Sequence, residues 1–599
     1  MQEQTGPNEV EVAPEENLTT SLWESAREHP RRPAVAYREG DRFVEWTMER
    51  FTEEIRSVAK GLIGLGIEAG QRVCVYSATR LEWTVLDYAI WAAGAVTVPI
   101  YETSSAEQIE WIVHDSEAAA IFCGTAELKR EYDAVADRLP GCEHSFVIDE
   151  GALDTVKRAG DEVTDEQLDR RATSVAGADL ATIVYTSGTT GRPKGCVLTH
   201  HNLVWTVAQT NGALGSLLEP GKTTLLFLPL AHIFSRVIQV VVIRTGVVLG
   251  FSTGLDQLRD ELAMFEPTFL LAVPRVFEKV LNGAQQKAQD EGKGRIFDHA
   301  IEVAGQYSRQ EARGRIKLAT KLQHGLFDRL VYAKIRDGMG GRVECAVSGG
   351  AALGERIGHT FAGMGITVLE GYGLTETSAP ATVNRPDGYK IGTVGPPLPG
   401  VTIRIGDDDE ILVKGGNVFQ GYLNNDEETR KVLDDDGWYH TEDLGELDRH
   451  GHLKITGRKK EIIVTAGGKN VAPAVLEDRM RAHRLVSQSL VVGDGQPFVG
   501  ALIALDAEEL PRWAEQHGKS SDRPEDLADD EDLQAALQEA VDEANKAVSR
   551  AEQIREFRVV PQDLSVEDGE LTPTMKVKRD VVGEKYQELI DSIYGAQQR

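Results

Sequence analysis

The stretch Ala181-Thr182-Ile183-Val184-Tyr185-Thr186-Ser187-Gly188-Thr189-Thr190-Gly191-Arg192-Pro193-Lys194-Gly195 decides how the rest of the chain is read. Ala181–Tyr185 is an apolar run of strand type, and it leads straight into a loop of hydroxyls and glycines that ends in a lysine. Glycines let backbone N–H groups close around an anion, Ser and Thr hydroxyls add donors, and Lys194 adds charge. A polyphosphate is the ligand such a loop suits. It is not a Walker A loop: counted from Gly188, that pattern puts Pro193 where glycine is required and Gly195 where Ser or Thr is required.

Outward from this loop, helical patterns alternate with short apolar runs. Phe51–Leu65 precedes Arg72–Tyr76, and Trp83–Ala93 precedes the run from Ala95 to Pro99. The rhythm returns at Ser145–Ile148, Leu225–Leu228, Phe269–Val273, Glu344–Val347 and Thr367–Leu369. Strand–helix–strand alternation of this kind predicts βαβ units and a parallel sheet. The segment from Val276 to Asp337 contains no proline and spaces its apolar residues three and four apart, so it is expected to be helical. From Gly395 to Lys454, short β-rich pieces are separated by Asp/Gly turns. A basic patch, Arg458-Lys459-Lys460, then precedes a last section with its own strands and helices. The expected class is α/β: a large N-terminal domain with parallel α/β sheets and a β-rich subdomain, plus a small mobile α+β C-terminal domain. The boundaries expected are a disordered tail over residues 1–17, the large domain over 18–458 and the small one over 459–599.

Composition excludes several classes. Acidic residues outnumber basic ones, 95 to 65, and a formal charge of −30 repels nucleic acid and anionic membrane at long range. Five scattered cysteines without a C-x-x-C pair fit free thiols in a reducing cytosol better than a disulfide framework or a zinc site. The N-terminus lacks the basic-then-apolar pattern of a signal peptide. The most apolar stretch, Val237–Phe251, contains Arg244, falls short of the roughly 18 residues of a membrane span, and reads as a core strand pair. A soluble cytoplasmic protein is expected, compatible with weak peripheral contact at the inner face of the membrane.

With these residues in view, the loop resembles the phosphate-binding signature of the acyl-adenylate-forming (AMP-binding) superfamily, and further segments are similar to its motifs in the expected order. Leu228-Pro-Leu-Ala-His232 resembles the acyl-site motif, Ser348-Gly349-Gly350-Ala351 the turn bordering adenine, and Gly371–Thr377 the adenine and magnesium motif. Trp438–Asp443 resembles the ribose motif, Gly457–Glu461 the hinge, and Thr572–Arg579 the catalytic-lysine motif. The form of the last two resembles long-chain acyl-CoA synthetases. The resemblance implies a ligase that joins a long-chain fatty acid to CoA through an acyl-adenylate, with ATP and CoA as co-substrates, Mg²⁺ as cofactor and no nucleic-acid partner. It implies nucleotide contacts from Thr186, Ser187, Gly188, Thr189, Thr190, Lys194, Gly350, Ala351, Tyr372, Gly373, Thr375, Asp443, Arg458 and Lys576. Catalytic roles are implied for Lys576, Thr186, Lys194, His232 and Glu376, with Glu376 also the metal ligand. Lys460 would be the hinge, and Gly467, Gly468 and Lys469 would border the CoA arm. Lys578 competes with Lys576, and the spacing of the family pattern favours Lys576.

Two family readings and one of another class remain beside each other at this level. A fatty acyl-AMP ligase would load a carrier protein instead of CoA; such enzymes commonly carry an insertion at the start of the C-terminal domain, and no surplus residues follow Glu461. A catalytically dead nucleotide- or lipid-binding module would lack the intact set Lys194, Glu376, Asp443 and Lys576. The chain also departs from the family pattern. Glu442 stands where the ribose motif has glycine, and if that position needs a positive φ the loop is strained. Thr574-Met575 stands where Ser-Gly commonly precedes the lysine. Arg236 occupies the position at which some bacterial long-chain members carry a gating tryptophan.

Overall fold

The computed structural model describes residues 2–186, 192–254, 256–572 and 575–595. A seven-stranded sheet runs in the order Gly421–Tyr422, Lys194–Thr199, Leu180–Thr186, Val96–Ile100, Arg72–Tyr76, Ala118–Cys123, His144–Val147. The last five strands are parallel, and helices such as Leu81–Ala92 provide the crossovers that parallel pairing requires. That helix is buried along almost its whole length, and Trp91 Nε1 donates to the Ala181 carbonyl at 3.0 Å, tying it to the strand that leads into the glycine loop.

Two four-stranded sheets combine parallel pairs with an antiparallel edge. One holds Thr223–Leu226, Val248–Phe251, Pro33–Glu39 and Arg42–Thr47. The other holds Phe269–Ala272, Cys345–Ser348, Thr367–Leu374 and Ala379–Val383. The β-rich subdomain is a five-stranded antiparallel sheet that includes Glu410–Lys414, Tyr439–Leu447 and Leu453–Arg458. Beyond it, Val486–Val492, Val499–Leu505 and Ile554–Val559 form a separate three-stranded sheet. The large hydrophobic core draws its last fully buried member from Leu453, whereas the two C-terminal clusters begin at Ile463 and Leu490. Arg275 and Asp506, 2.7 Å apart, bridge the two parts. Four of the five cysteines are buried and all are free. Among the described residues, no helix is long and apolar enough to cross a membrane.

Two expectations are corrected. The tail expected to be disordered over 1–17 is ordered where it is described: Gln2–Thr5 pairs antiparallel with Thr402–Ile405, and Trp205 Nε1 donates to Glu9 Oε1 at 3.0 Å. The tail's polar composition gave no hint that a sheet edge elsewhere would offer it unpaired N–H and C=O groups. Val237–Phe251 is not a strand pair but the greater part of the helix Ile233–Thr245 followed by the strand Val248–Phe251. The helix ends at Gly246, whose φ of +82° is the left-handed conformation glycine adopts without strain. Arg236 and Gln239, three residues apart, share the face turned to Asp87 of the neighbouring helix.

Arg236 and Asp87 form a fully buried ion pair at 2.5 Å, and the guanidinium lies 5.5 and 5.3 Å from the ring centres of Trp83 and Trp91. Burial pushes the Asp87 carboxyl up, and Arg236 opposes that shift. Breaking one member of such a pair strands the other charge in a low-dielectric core. Arg236→Met is therefore expected to destabilise the protein by about 3–5 kcal/mol, with a large part restored when Asp87→Leu is added. Denaturant unfolding of the single and double variants measures this, and a single variant within about 1 kcal/mol of the parent would contradict it.

Candidate active site

The strand Leu180–Thr186 returns antiparallel as Lys194–Thr199, with Tyr185 opposite Gly195 and Thr186 opposite Lys194. Gly195 makes this approach feasible: a Cβ there would lie 2.8 Å from Ile183 Cγ2 and 3.1 Å from Tyr185 Cζ. Thr186 and Lys194 thus stand at the two ends of the glycine loop. Ser187, Gly188, Thr189 and Thr190 lie outside the described residues. The returning limb is held from the side by Trp111, whose Nε1 donates to the Pro193 carbonyl at 2.8 Å and whose ring lies 4.8 Å from the Arg192 guanidinium.

Lys194 is already engaged. Its ammonium pairs with Glu428, in the helix Asp426–Val432, and stands 5.1 Å from the ring centre of Tyr422. Hydrogen bonds from Lys194 and then Lys431 hold the Glu428 carboxyl down at about 2. The Tyr422 hydroxyl donates to Glu376 Oε1 at 2.8 Å, so Lys194, Glu428, Tyr422 and Glu376 form one connected group. Glu376 itself is buried in the turn Thr375–Thr377, and Thr375 beside it is buried too. Sequence reasoning missed Glu428 and Trp111, because nothing in their local spacing points to a loop that is distant in sequence.

A second group lies alongside. Tyr439 senses the charge of Glu376 and also neighbours Tyr372. The Tyr372 hydroxyl donates to Asp443 Oδ2 at 2.7 Å, and Arg458 Nε lies 3.1 Å from Asp443 Oδ1. The register of Tyr439–Leu447 on Leu453–Arg458 places Asp443 directly opposite Arg458. Burial pushes the Asp443 carboxyl up and Arg458 pulls it back; burial and Asp443 push the Tyr372 phenol up. Gly373 is required by packing, because a Cβ there would lie 1.8 Å from the Ala379 carbonyl oxygen. Gly350, at φ +83°, and Ala351 form an exposed turn after Ser348, whose buried Oγ has no hydrogen-bond partner among the described residues.

Glu442 has φ +60°, the left-handed conformation foreseen for a position where glycine is usual, at a cost of about 1–2 kcal/mol for an L-residue. Its N–H donates to Glu410 Oε1 at 2.9 Å and its carboxylate pairs with Lys460 at 2.8 Å. Met575, likewise standing where glycine is common, has φ +64°. It leads into Lys576, whose N–H donates to Thr572 Oγ1 at 3.0 Å.

Lys576 faces the second group. Its side chain still meets solvent, although protein surrounds it on most sides. That crowding, and then the charge of Arg458, lowers its pKa, while Asp443 and Glu461 oppose the shift. His232 caps the helix Ile233–Thr245, with the Phe234 N–H donating to its Nδ1 at 3.2 Å. Burial and Lys576 depress His232 to about 4, so the ring is neutral at physiological pH. Gly467, Gly468 and Lys469 sit apart, on the exposed hairpin turn between Ile463–Val464 and Asn470–Val471, where Lys469 pairs with Glu552 at 3.3 Å.

A polyphosphate meeting Lys194 has to displace Glu428. Glu428→Gln is thus expected to lower the KM for nucleotide by up to about fivefold, the equivalent of about 1 kcal/mol for a partly exposed pair. A nucleotide titration of pyrophosphate release decides it: an unchanged or raised KM removes Glu428 from this role.

The chain matches the AMP-binding enzyme family over residues 22–423 and the AMP-binding enzyme C-terminal domain over residues 460–598. It is 47% identical to the long-chain-fatty-acid–CoA ligase FadD15 of Mycobacterium bovis, with 99% of this chain and 100% of that protein covered. It is 32% identical to long-chain-fatty-acid–CoA ligase 1 of Homo sapiens, over 94% of this chain and 84% of the other. Two solved structures share the fold. One is ATP-bound MatB from Rhodopseudomonas palustris (TM-score 0.69, 24% identity, 96% and 99% of the two chains). The other is a Mycobacterium tuberculosis fatty acyl CoA synthetase (TM-score 0.62, 22% identity, 96% and 98%). By the family matches, over residues 22–423 and 460–598, this chain belongs to the AMP-binding enzyme family.

Proposed function

We propose that the protein is a long-chain fatty-acid–CoA ligase, which converts fatty acid, ATP and CoA to acyl-CoA, AMP and pyrophosphate through an acyl-adenylate. The observation that carries this reading is the approach of Lys576 to Asp443 and Arg458 from a segment that belongs to the other hydrophobic core. Similarity along nearly the full length of long-chain-fatty-acid–CoA ligases supports the substrate class.

A carboxylate is a poor electrophile because its oxygen is a poor leaving group. In the first step a carboxylate oxygen attacks the α-phosphorus of ATP, the bond to pyrophosphate breaks, and acyl-AMP forms. Two anions have to meet, so positive charge is needed where negative charge accumulates. Lys576 would lie between the carboxylate and the α-phosphate. Lys194, Thr186 and the loop Ser187–Thr190 would hold the outgoing phosphates, with Lys194 exchanging Glu428 for them. Tyr372 and the Gly350-Ala351 turn would border the adenine, and Gly373 and Thr375 would line the same side. Asp443 would accept hydrogen bonds from the ribose hydroxyls, with Arg458 donating beside it. Neutral His232 adds no charge to the mouth of the acyl site.

Glu376 offers a buried carboxylate oriented by Tyr422, and among the described residues no group of three or more His, Cys, Asp and Glu could hold a metal. One carboxylate together with nucleotide phosphates suits Mg²⁺, which keeps most of its water and would supply charge neutralisation at those phosphates. In the second step the CoA sulfur attacks the acyl carbon, AMP departs, and the thiol proton is released. The segment after Lys460 would rotate to withdraw Lys576 and admit the thiol, with Gly467-Gly468-Lys469 as the turn nearest its arm.

Lys576→Ala is expected to lower fatty-acid-dependent ATP–pyrophosphate exchange by about 100-fold or more while leaving thioester formation from supplied acyl-AMP near the parent rate. Equal loss in both half-reactions would remove the exchange of faces from the mechanism. The lowered pKa of Lys576 adds a pH signature. Adenylation needs the ammonium form, so it falls as pH rises through a value below the ordinary 10.5 of lysine. Lys576→Arg, which stays charged, is expected to lose that alkaline limb whatever its absolute rate; a limb that persists in the Arg variant would belong to another group.

A further inference from the structure

Leu318, Leu322, Leu326 and Leu330 line the helix Leu318–Phe327 and the π-turn Asp328–Tyr332 that continues it. Each lies four residues from the next, so they stack along one side, and they are 73%, 67%, 56% and 50% exposed. The wider π-turn advances less per residue than an α-helix, which keeps Leu330 close to the line of the other three. The opposite side is anchored. Thr320, Phe327 and Tyr332 are buried, His324 Nε2 meets the Gly363 carbonyl at 2.6 Å, and the Tyr332 hydroxyl donates to the Ala300 carbonyl at 2.6 Å. The leucine row is therefore a rigid face and not a fraying end.

Charge surrounds it on one flank. Lys317, Lys321 and Arg329 each precede a leucine of the row by one residue, which places them about 100° round the helix axis. Residues 313–336 hold seven Lys and Arg against a single acid, Asp328, within a chain of net charge −30. Asp328 is taken by Arg336 at 2.8 Å. Among the described residues, Arg313, Arg315, Lys317, Lys321, Arg329 and Lys334 form no ion pair and all are exposed. An apolar row with a basic border is the pattern of a helix that lies in the interface of a lipid layer.

We propose that this face docks the protein on the surface of an anionic lipid bilayer, the leucines entering the acyl boundary and the basic row meeting lipid phosphates. The strongly acidic remainder of the chain repels such a surface, so the same charge distribution selects the docking face and fixes its orientation. A second copy fits less well, because pairing two leucine rows would bring two unpaired basic rows together.

The test is co-sedimentation of the full chain with vesicles of phosphatidylcholine containing about one-quarter phosphatidylglycerol, against phosphatidylcholine alone. Binding is expected to the anionic vesicles, weakening as salt rises. Leu322→Gln/Leu326→Gln and, separately, Lys317→Glu/Lys321→Glu/Arg329→Glu are each expected to reduce the partition coefficient by about tenfold or more. Thermal midpoints confirm that the variants fold; were the leucine variant to unfold, the charge variant, which alters only exposed side chains, decides alone. Absence of binding to anionic vesicles, equal binding by the folded variants, or a parent dimer that the leucine variant splits without any vesicle effect would each overturn the proposal. Binding is read without turnover, so its failure is distinct from failure of the ligase reading.

Discussion

Asp443 and Arg458 face one another across the strands Tyr439–Leu447 and Leu453–Arg458, and much of the second cluster hangs on that register. Side chains alternate faces along a strand, so a slip of one strand by one residue would turn its member of the pair to the other face and separate Asp443 from Arg458. The pair also makes a place for a cation that comes from elsewhere. Arg458 repels Lys576 while Asp443 and Glu461 attract it, so the lysine is held near other charges without being locked into a single salt bridge. On the proposed mechanism Lys576 leaves between the two half-reactions, and such a group would benefit from that balance.

Among the described residues, two of the nine non-glycine positions with a positive φ stand at the same place. Glu442 and Met575 both hold a left-handed backbone without being glycine, one beside Asp443 and the other beside Lys576. Such conformations persist only where surrounding contacts over-determine them. For Glu442 those contacts are the Glu410 carboxylate on its N–H and Lys460 on its side chain. The residue that replaces the usual glycine therefore also ties the strand of Asp443 to Lys460, the proposed hinge, a connection glycine could not make.

Electrostatics acts on two scales in this molecule. At short range, Lys194 does not wait as an open charge but rests on Glu428, whose depressed pKa keeps the partner ionised. At long range, a net charge of −30 stands against the basic border of the leucine row, a local contrast on which the proposed docking rests.

The α/β alternation, the helical segment after Val276 and the β-rich pieces before Lys454 were legible because period and composition are local properties. So were the glycine loop and Asp443, Arg458 and Lys576 as candidates, since motifs are read in order along the chain. What escaped depended on distant partners. The tail of Gln2–Thr5 is ordered only because Thr402–Ile405 presents a free edge, and Ile233–Thr245 is a helix whose Arg236 finds Asp87 across the core. Glu428 and Trp111 gain their meaning only from the loop they touch. The class of fold and the family were carried by residue types and their spacing along the chain. Which charge faces which, the pairing of Lys194 with Glu428 and the exposure of four leucines outside the core follow from packing in three dimensions. Those are matters of distance and burial, and no linear spacing encodes them.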